Sequence, residues 1–419
     1  MRECPRYDRA ISVAKPERES MERYHLSTSP LAGYAIVHFG NDWRAENRTS
    51  SHHISGELAK QLPVLYVSTP GFRPPRAMTR DFKRIFNKLR EAPRLPEQVG
   101  DRMWTMTMPQ LPFSGTPGVA GFNRFAGRTL LLRAIRHLGL QKLISIFFVP
   151  HPGRFARTLG EDLSVYYCID DYAQWPGADK AAVERYDLEL TAKSDVVFFC
   201  SKKLLKERSS IRQDLIYSPH GVDTAMFGQA MDASVPVAQQ LHGINAPLIG
   251  FFGSVGSQLD IELIAQTARD RPGWQFVLLG MISTDIAMLR SLPNVMLPGP
   301  VPYHTLPSWA RAFDVCIAPY VQNQQMLNAN PLKIREYLAT GRPVVAIWLP
   351  ETEQFADVVR LVRQRDEFAG AIEAALAEGI EANQARRLAA VRDSTWEARG
   401  ECVYRTLEDA LRKKLERAR

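Results

Sequence analysis

From residue 34 almost to the end of the chain, short apolar runs rich in β-branched and aromatic residues alternate with longer segments of helical period. Such alternation restricts the fold to βαβ units, in which parallel sheets are covered by helices on both faces. The runs predict strands at Tyr34–Phe39, Val64–Ser68, Met103–Met108, Leu143–Val149, Val165–Cys168, Val196–Cys200, Leu248–Phe252, Phe276–Leu279, Val315–Ala318 and Val344–Ile347. Helices are predicted at Ser51–Leu62, Arg124–His137, Ala181–Ser194, Leu259–Asp270 and Pro331–Ala339, and residues from about Glu367 onward read as helical. Between Pro219 and Pro247 lies a polar, Ala/Gln-rich stretch without a buried strand. The expected organisation is a flexible extension (1–30), a first α/β domain (31–222), a linker (223–246), a second α/β domain (247–390) and a charged C-terminal helix (391–419) that packs back on the first domain.

With 419 residues the chain can bury two cores. Its five cysteines are scattered without a CxxC pair or a histidine cluster, so no metal centre is expected and a reducing compartment fits. Lys and Arg number 53 against 45 Asp and Glu, a net charge of +8 that favours anionic partners. No apolar run reaches the roughly 20 residues of a membrane-spanning helix. The polar N-terminus does not read as a secretory signal, and a cytoplasmic location is expected. Phe82, Ile85, Phe86 and Leu89 fall on one helical face with Lys83, Arg84, Lys88 and Arg90 on the others. That pattern suits peripheral docking on an anionic membrane, here the inner face of the cytoplasmic membrane, or packing on the helix's own domain. Nucleic acid is disfavoured because the basic residues are dispersed and no binding module is present.

The most informative segment runs from Asn328 to Val345. Asn330 suits an N-cap, Pro331 the first helical position, Gly341 a helix end, and Pro343 opens the next strand. A helix starting there, after the strand Val315–Ala318, would offer unpaired N–H groups and a positive dipole end to a phosphate. Lys333 and Glu336, three residues apart, share one face. A lysine near that end can neutralise a diphosphate, and a carboxylate one turn deeper can accept from the hydroxyls of a ribose. An isolated Lys-x-x-Glu is in most chains a surface ion pair of about 0.3–0.5 kcal/mol.

The neighbouring residues add to this. The string from Asn330-Pro-Leu-Lys through Glu336-Tyr-Leu-Ala to Gly341-Arg-Pro-Val-Val resembles the donor-binding signature of bacterial glycosyltransferases with the glycosyltransferase-B fold, the family 4-like group (glycosyl transferases group 1). Ser218-Pro-His-Gly-Val-Asp223, Leu248-Ile-Gly-Phe-Phe-Gly-Ser254, Asn294-Val-Met-Leu-Pro-Gly299 with Val301-Pro-Tyr-His-Thr-Leu-Pro307, and Phe313-Asp-Val-Cys-Ile-Ala-Pro-Tyr320 follow the family pattern in order. The resemblance implies two facing Rossmann-like domains with a C-terminal helical tail, the second domain holding a nucleotide sugar, UDP- or GDP-linked, as co-substrate and no other cofactor. It places Lys333 at the diphosphate, Glu336 at the ribose, Gly253 and Ser254 on the phosphate side, Val301 near the nucleobase, and Asn328 and Asn330 among the donor contacts. It implies a retaining transfer to a glycan or glycolipid acceptor in cell-surface polysaccharide synthesis. Two departures stand out: Asn328 occupies a position where the family often has a sugar-binding Glu, and Gly253-Ser-Val-Gly-Ser-Gln258 lacks the family's Arg and Lys. They leave open a nucleotide-sugar epimerase or a catalytically weak binding subunit of a polysaccharide assembly complex.

In the first domain His151 follows the strand Leu143–Val149, and Asp170 and Asp171 follow Val165–Cys168, all at the sheet edge where open parallel sheets bind ligands. His151 resembles a family histidine at the reacting sugar, with a plain loop-surface histidine as the alternative, and the aspartates suit an acceptor hydroxyl, although paired Asp after a strand also caps turns. Gly40, Asn41 and Asp42 end the first strand, and His52 opens the next helix, as candidate cleft and acceptor residues or as plain loop and cap residues.

Overall fold

The structure, a computed structural model, describes residues 2–3, 29–45, 48–69, 95–109 and 117–417. It divides into two compact units, one of residues 1–219 and 397–419, the other of residues 220–396.

The first unit is built on a nine-stranded sheet. Its strands are β1 (Arg2–Glu3), β2 (Tyr34–Gly40), β3 (Val64–Ser68), β4 (Glu97–Gly100), β5 (Met103–Thr107), β6 (Lys142–Phe147), β7 (Leu163–Cys168), β8 (Val196–Phe199) and β9 (Ile216–Tyr217). They lie in the order β1-β9-β8-β7-β6-β2-β3-β5-β4, all parallel except the β4/β5 pair. Helices α1 (Ser50–Ala59), α2 (Pro117–His137), α3 (Lys180–Lys193) and α4 (Lys202–Arg208) connect them. Strands β2, β3 and β7 are buried along their whole length, because central strands of a parallel sheet meet helices on both faces.

The second unit holds a six-stranded, wholly parallel sheet of β10 (Leu248–Phe252), β11 (Gln275–Leu279), β12 (Val295–Gly299), β13 (Val315–Ala318), β14 (Val344–Ile347) and β15 (Arg360–Val362). The order is β12-β11-β10-β13-β14-β15. Its helices are α5 (Thr224–Gly228), α6 (Ile261–Asp270), α7 (Ala287–Arg290), α8 (Leu306–Ala310), α9 (Gln324–Asn328), α10 (Leu332–Ala339), α11 (Phe368–Glu378) and α12 (Gln384–Val391). In this sheet the chain runs outward from β10 to β12 and returns beside β10 as β13. The first sheet does the same, running β2, β3, β5 outward and returning beside β2 as β6. Each reversal opens a crevice at the carboxyl ends of the two strands that flank it, the usual ligand site of such sheets.

All ten strands expected from the sequence are present, with bounds that move by up to two residues. The five that were not expected, β1, β4, β9, β12 and β15, lie at or beside a sheet edge. An edge strand is half solvated and needs no continuous apolar run: β4 reads Glu-Gln-Val-Gly and is exposed throughout.

One assignment differs from expectation. Residues 223–246 are not a linker but part of the second unit: the Asp223 side chain caps α5, and Phe227, Ala230 and Leu241 are buried in that unit's core. The final helix α13 (Trp396–Arg417) belongs to the first unit, with Val403, Leu407 and Leu411 on its fully buried stripe. There the Ser29 hydroxyl donates to Glu408 Oε1 at 2.5 Å. Cys168, Cys200 and Cys316 are buried free thiols, whereas Cys402 is disulfide-bonded. The basic amphipathic segment around Phe82–Arg90 lies outside the described residues. Among the described residues no helix is long and apolar enough to cross a membrane.

Candidate functional site

The carboxyl edge of the second sheet is assembled from glycine-bearing strand ends and the start of α10. Gly253, just past β10, has φ +152°, and Gly280, just past β11, has φ +138°. A Cβ on Gly280 would lie 1.8 Å from the Gly253 carbonyl oxygen, so the two loops touch through bare backbone. A Cβ on Gly253 would lie 3.1 Å from Lys333 Cε. Gly253 therefore lets the backbone after β10 sit directly against the lysine at the start of α10. Ser254 is half-buried, and its carbonyl accepts from Gln258 Nε2 at 2.6 Å.

Lys333 Nζ lies 2.7 Å from Glu336 Oε2. The side chains are 17% and 3% exposed, so this is not the surface ion pair that the spacing alone would suggest. The ammonium also lies 5.5 Å from the centre of the Phe252 ring. Two tyrosines that sequence reasoning did not single out lie within electrostatic reach of the carboxylate. Burial, with Glu336 nearby, pushes the Tyr303 and Tyr320 hydroxyls far above their usual value and keeps them neutral. Tyr303 belongs to the loop after β12, and its ring meets Phe227 edge-on at 5.8 Å. Val301, in the same loop, is partly buried against the unit's core. Position after a strand end was the signal that could have found Tyr303.

Asn330 does not cap the helix as expected. Helix α10 begins at Leu332 with Pro331 at its N-cap, one residue later than the sequence suggested. Asn330 is buried, its Oδ1 accepting from Arg335 at 2.7 Å and its Nδ2 donating to Glu351 at 3.2 Å. It bridges a buried cation and a buried carboxylate, which accounts for its amide without a ligand. Asn328, 2% exposed at the end of α9, accepts from Gln324 Nε2 at 3.2 Å.

In the first unit Gly40 and His151 stand at the two strand ends that flank the reversal, after β2 and β6. A Cβ on Gly40 would lie 2.3 Å from the Tyr66 hydroxyl, which donates to the Asn41 carbonyl at 2.9 Å. Asn41 Nδ2 donates to Thr49 Oγ1 at 3.3 Å, and Asp42 Oδ1 accepts from Arg44 N at 3.1 Å at the exposed loop tip. His52 has both ring nitrogens engaged: Nδ1 accepts from Thr49 N and Nε2 donates to the Asp42 carbonyl, each at 3.0 Å. With Thr49 it forms a capping box in which histidine replaces the usual Glu or Gln. His52 thus holds loop to helix, the cap role that its position at the helix start allows.

His151 is half-buried and opens a 3₁₀ turn, His151–Phe155. Asp170 and Asp171, after β7, are also half-buried. Asp170 accepts from Asp171 N and from Trp175 Nε1, both at 2.8 Å. Burial pushes its carboxyl up to about 6. A separate cavity of about 580 Å³ opens at the amino ends of β2, β3 and β6, the edge opposite to these residues.

Burial holds three imidazoles neutral: His38 well below its usual value, His52 near 4 and His220 near 3. Above pH 6.5 both folded and unfolded chains leave them uncharged, so stability there is insensitive to them. As pH falls below 6.5 the unfolded chain takes up protons that the folded chain refuses, and stability drops. For His52 alone the loss is about 2 kcal/mol by pH 5. Melting temperatures recorded from pH 7.5 to 4.5 are expected to fall with this onset. His52→Gln, which keeps an acceptor for the Thr49 N–H, should hold neutral-pH stability within about 1 kcal/mol and shrink the acid loss. An unchanged acid profile in that variant would show that His52 is not the titrating group.

Residues 246–378 match the family described as Glycosyl transferases group 1. This segment is the extent of the match. It contains the glycine loops, Tyr303, Lys333 and Glu336. A Bacillus subtilis protein that bears the name of a teichuronic acid biosynthesis glycosyltransferase, TuaH, is 31% identical over 184 residues, 42% of this chain and 44% of that protein. The match thus spans less than half of that relative's length. Among solved structures, sucrose-phosphate synthase from Thermosynechococcus elongatus superimposes with a TM-score of 0.65 at 16% identity, over 90% of this chain and 100% of that one. The Anabaena protein HepE in complex with UDP and glucose gives 0.63 at 12%, over 89% and 98%. Trehalose 6-phosphate synthase from Burkholderia multivorans gives 0.62 at 15%, over 92% and 100%. At these identities the likeness is one of fold, and the fold is that of the glycosyltransferase-B group. Within the group 1 segment the structure brings Gly253, Lys333 and Glu336 together, and it turns Asn330 to a structural task.

Proposed function

We propose that this chain transfers a sugar from a nucleoside diphosphate-linked donor, UDP- or GDP-linked, to a glycan or glycolipid acceptor, with retention of anomeric configuration. The observation that carries this reading is the Lys333–Glu336 pair at the start of α10, beside the side-chain-free Gly253 loop and within the group 1 segment. In this reading Lys333 and the first N–H groups of α10 take the diphosphate, whose charge grows as the glycosidic bond breaks. Glu336 accepts from the ribose hydroxyls. Tyr303 and Val301 border the nucleoside. His151 and Asp171 serve the reacting sugar, and no metal is required. The likeness to TuaH supports cell-surface polysaccharide as the product class, and the surplus of positive charge suits a peripheral place at the inner face of the cytoplasmic membrane.

Thermal shifts with UDP, GDP, ADP and TDP and with their sugar conjugates test the donor site. One nucleotide is expected to raise the melting temperature of the wild type by several degrees, with the gain lost in Glu336→Ala. No shift with any of the four would sink the assignment.

A further inference from the structure

We propose that Trp175 is the stacking platform of a sugar subsite on the first unit, where a pyranose ring of the acceptor lies on the indole with its hydroxyls toward the Asp170 and Asp171 carboxylates. The inference rests on the transfer reading above and names the ligand class of its acceptor side.

Trp175 follows the short 3₁₀ turn Tyr172–Gln174 at the carboxyl end of β7, one strand from the reversal between β2 and β6. It is 39% exposed, although a tryptophan carries one of the largest apolar surfaces that a chain can bury. The ring is nevertheless fixed. Its Nε1 donates to Asp170 Oδ2 at 2.8 Å, and Tyr172, 3% exposed, backs it with ring centres 5.2 Å apart. Asp170 is itself held by the Asp171 N–H at 2.8 Å. An indole pinned at its edge loses little freedom when a ligand settles on its face.

The chemistry of the surroundings selects the ligand. A pyranose has an apolar face of C–H bonds and a rim of hydroxyls, and it needs a flat aromatic surface bordered by hydrogen-bond acceptors. A nucleobase would also stack, but its phosphates would meet the carboxylates of Asp170 and Asp171, and Arg208, which lines the same pocket, is already paired with Asp187 at 2.8 Å. A neutral sugar ring meets no such repulsion.

Saturation-transfer NMR on the full chain, with methyl pyranosides of glucose, galactose, mannose and N-acetylglucosamine as probes, tests the subsite. At least one is expected to bind wild type through its ring C–H protons. Trp175→Ala and Trp175→Leu should weaken that binding about tenfold, and Trp175→Phe should retain most of it. The nucleotide-induced thermal shift should be the same in all four proteins, which also reports that the variants fold. Binding of none of the pyranosides to wild type, or equal binding by Trp175→Leu, would overturn the proposal. If no nucleotide shifts wild type, it is the transfer reading that fails.

Discussion

Lys333→Ala is expected to abolish nucleotide-induced stabilisation and to lower the transfer rate about 10²–10³-fold, the usual loss when a charge that stabilises a transition state is removed. It is also expected to lower the melting temperature of the unliganded protein, and by more than Glu336→Gln does. The asymmetry follows from burial. Removing the lysine leaves a carboxylate that is 3% exposed without its cation, a change that costs about 3 kcal/mol. Replacing Glu336 by the isosteric amide leaves a lysine that is 17% exposed, and its flexible stem can carry the ammonium toward solvent. Glu336→Gln should therefore stay within about 1 kcal/mol of wild type while it loses the charge-assisted bonds to a ribose. Differential scanning fluorimetry with and without nucleotide separates the two effects. Equal melting temperatures for the two variants would mean that the pair does not stabilise the fold, and retained nucleotide binding in both would remove it from the site.

Gly280→Ala is expected to unfold the second unit's carboxyl edge. The added methyl would stand 1.8 Å from the Gly253 carbonyl oxygen, a backbone atom, at a φ of +138° that alanine avoids. A clash with backbone cannot be relieved by a rotamer change, so the loops after β10 and β11 must separate. The strain is expected to cost about 3 kcal/mol or more and to abolish nucleotide binding with it. Gly273→Ala is the matched control: nothing lies within 4 Å of its new methyl, and stability should change by less than about 0.5 kcal/mol. Denaturant titration followed by nucleotide thermal shift reads both. Wild-type behaviour of Gly280→Ala would show that the two loops do not meet through their glycines.

The sequence made the central strands legible because double burial writes them as continuous apolar runs. The edge strands were silent for the converse reason, and β4 has no apolar run to detect. Lys333 and Glu336 were visible because a helix start and an i,i+3 spacing are local facts. Asn330 was misread because its fate is decided by Arg335 and Glu351, the latter 21 residues away and hydrogen-bonded only through the fold. The cap formed by His52 was only one of its legible roles, because Thr49-x-x-His resembles a capping box only once imidazole is allowed in the place of a carboxylate or amide. Residues 223–246 looked like a linker because Phe227, Ala230 and Leu241 are too sparse to form a periodic pattern, yet each reaches the core.

The membership of α13 in the first unit bears on the order in which the chain can fold. The second unit is one unbroken stretch, residues 220–396, and is fully synthesised before the last 23 residues that the first unit requires. On the ribosome the later-encoded unit can close its core first, while the earlier one waits with the surface that receives Val403, Leu407 and Leu411 uncovered. A nascent chain stopped before α13 would then carry one finished unit and one open one, a state in which a chaperone would be expected to hold the first half.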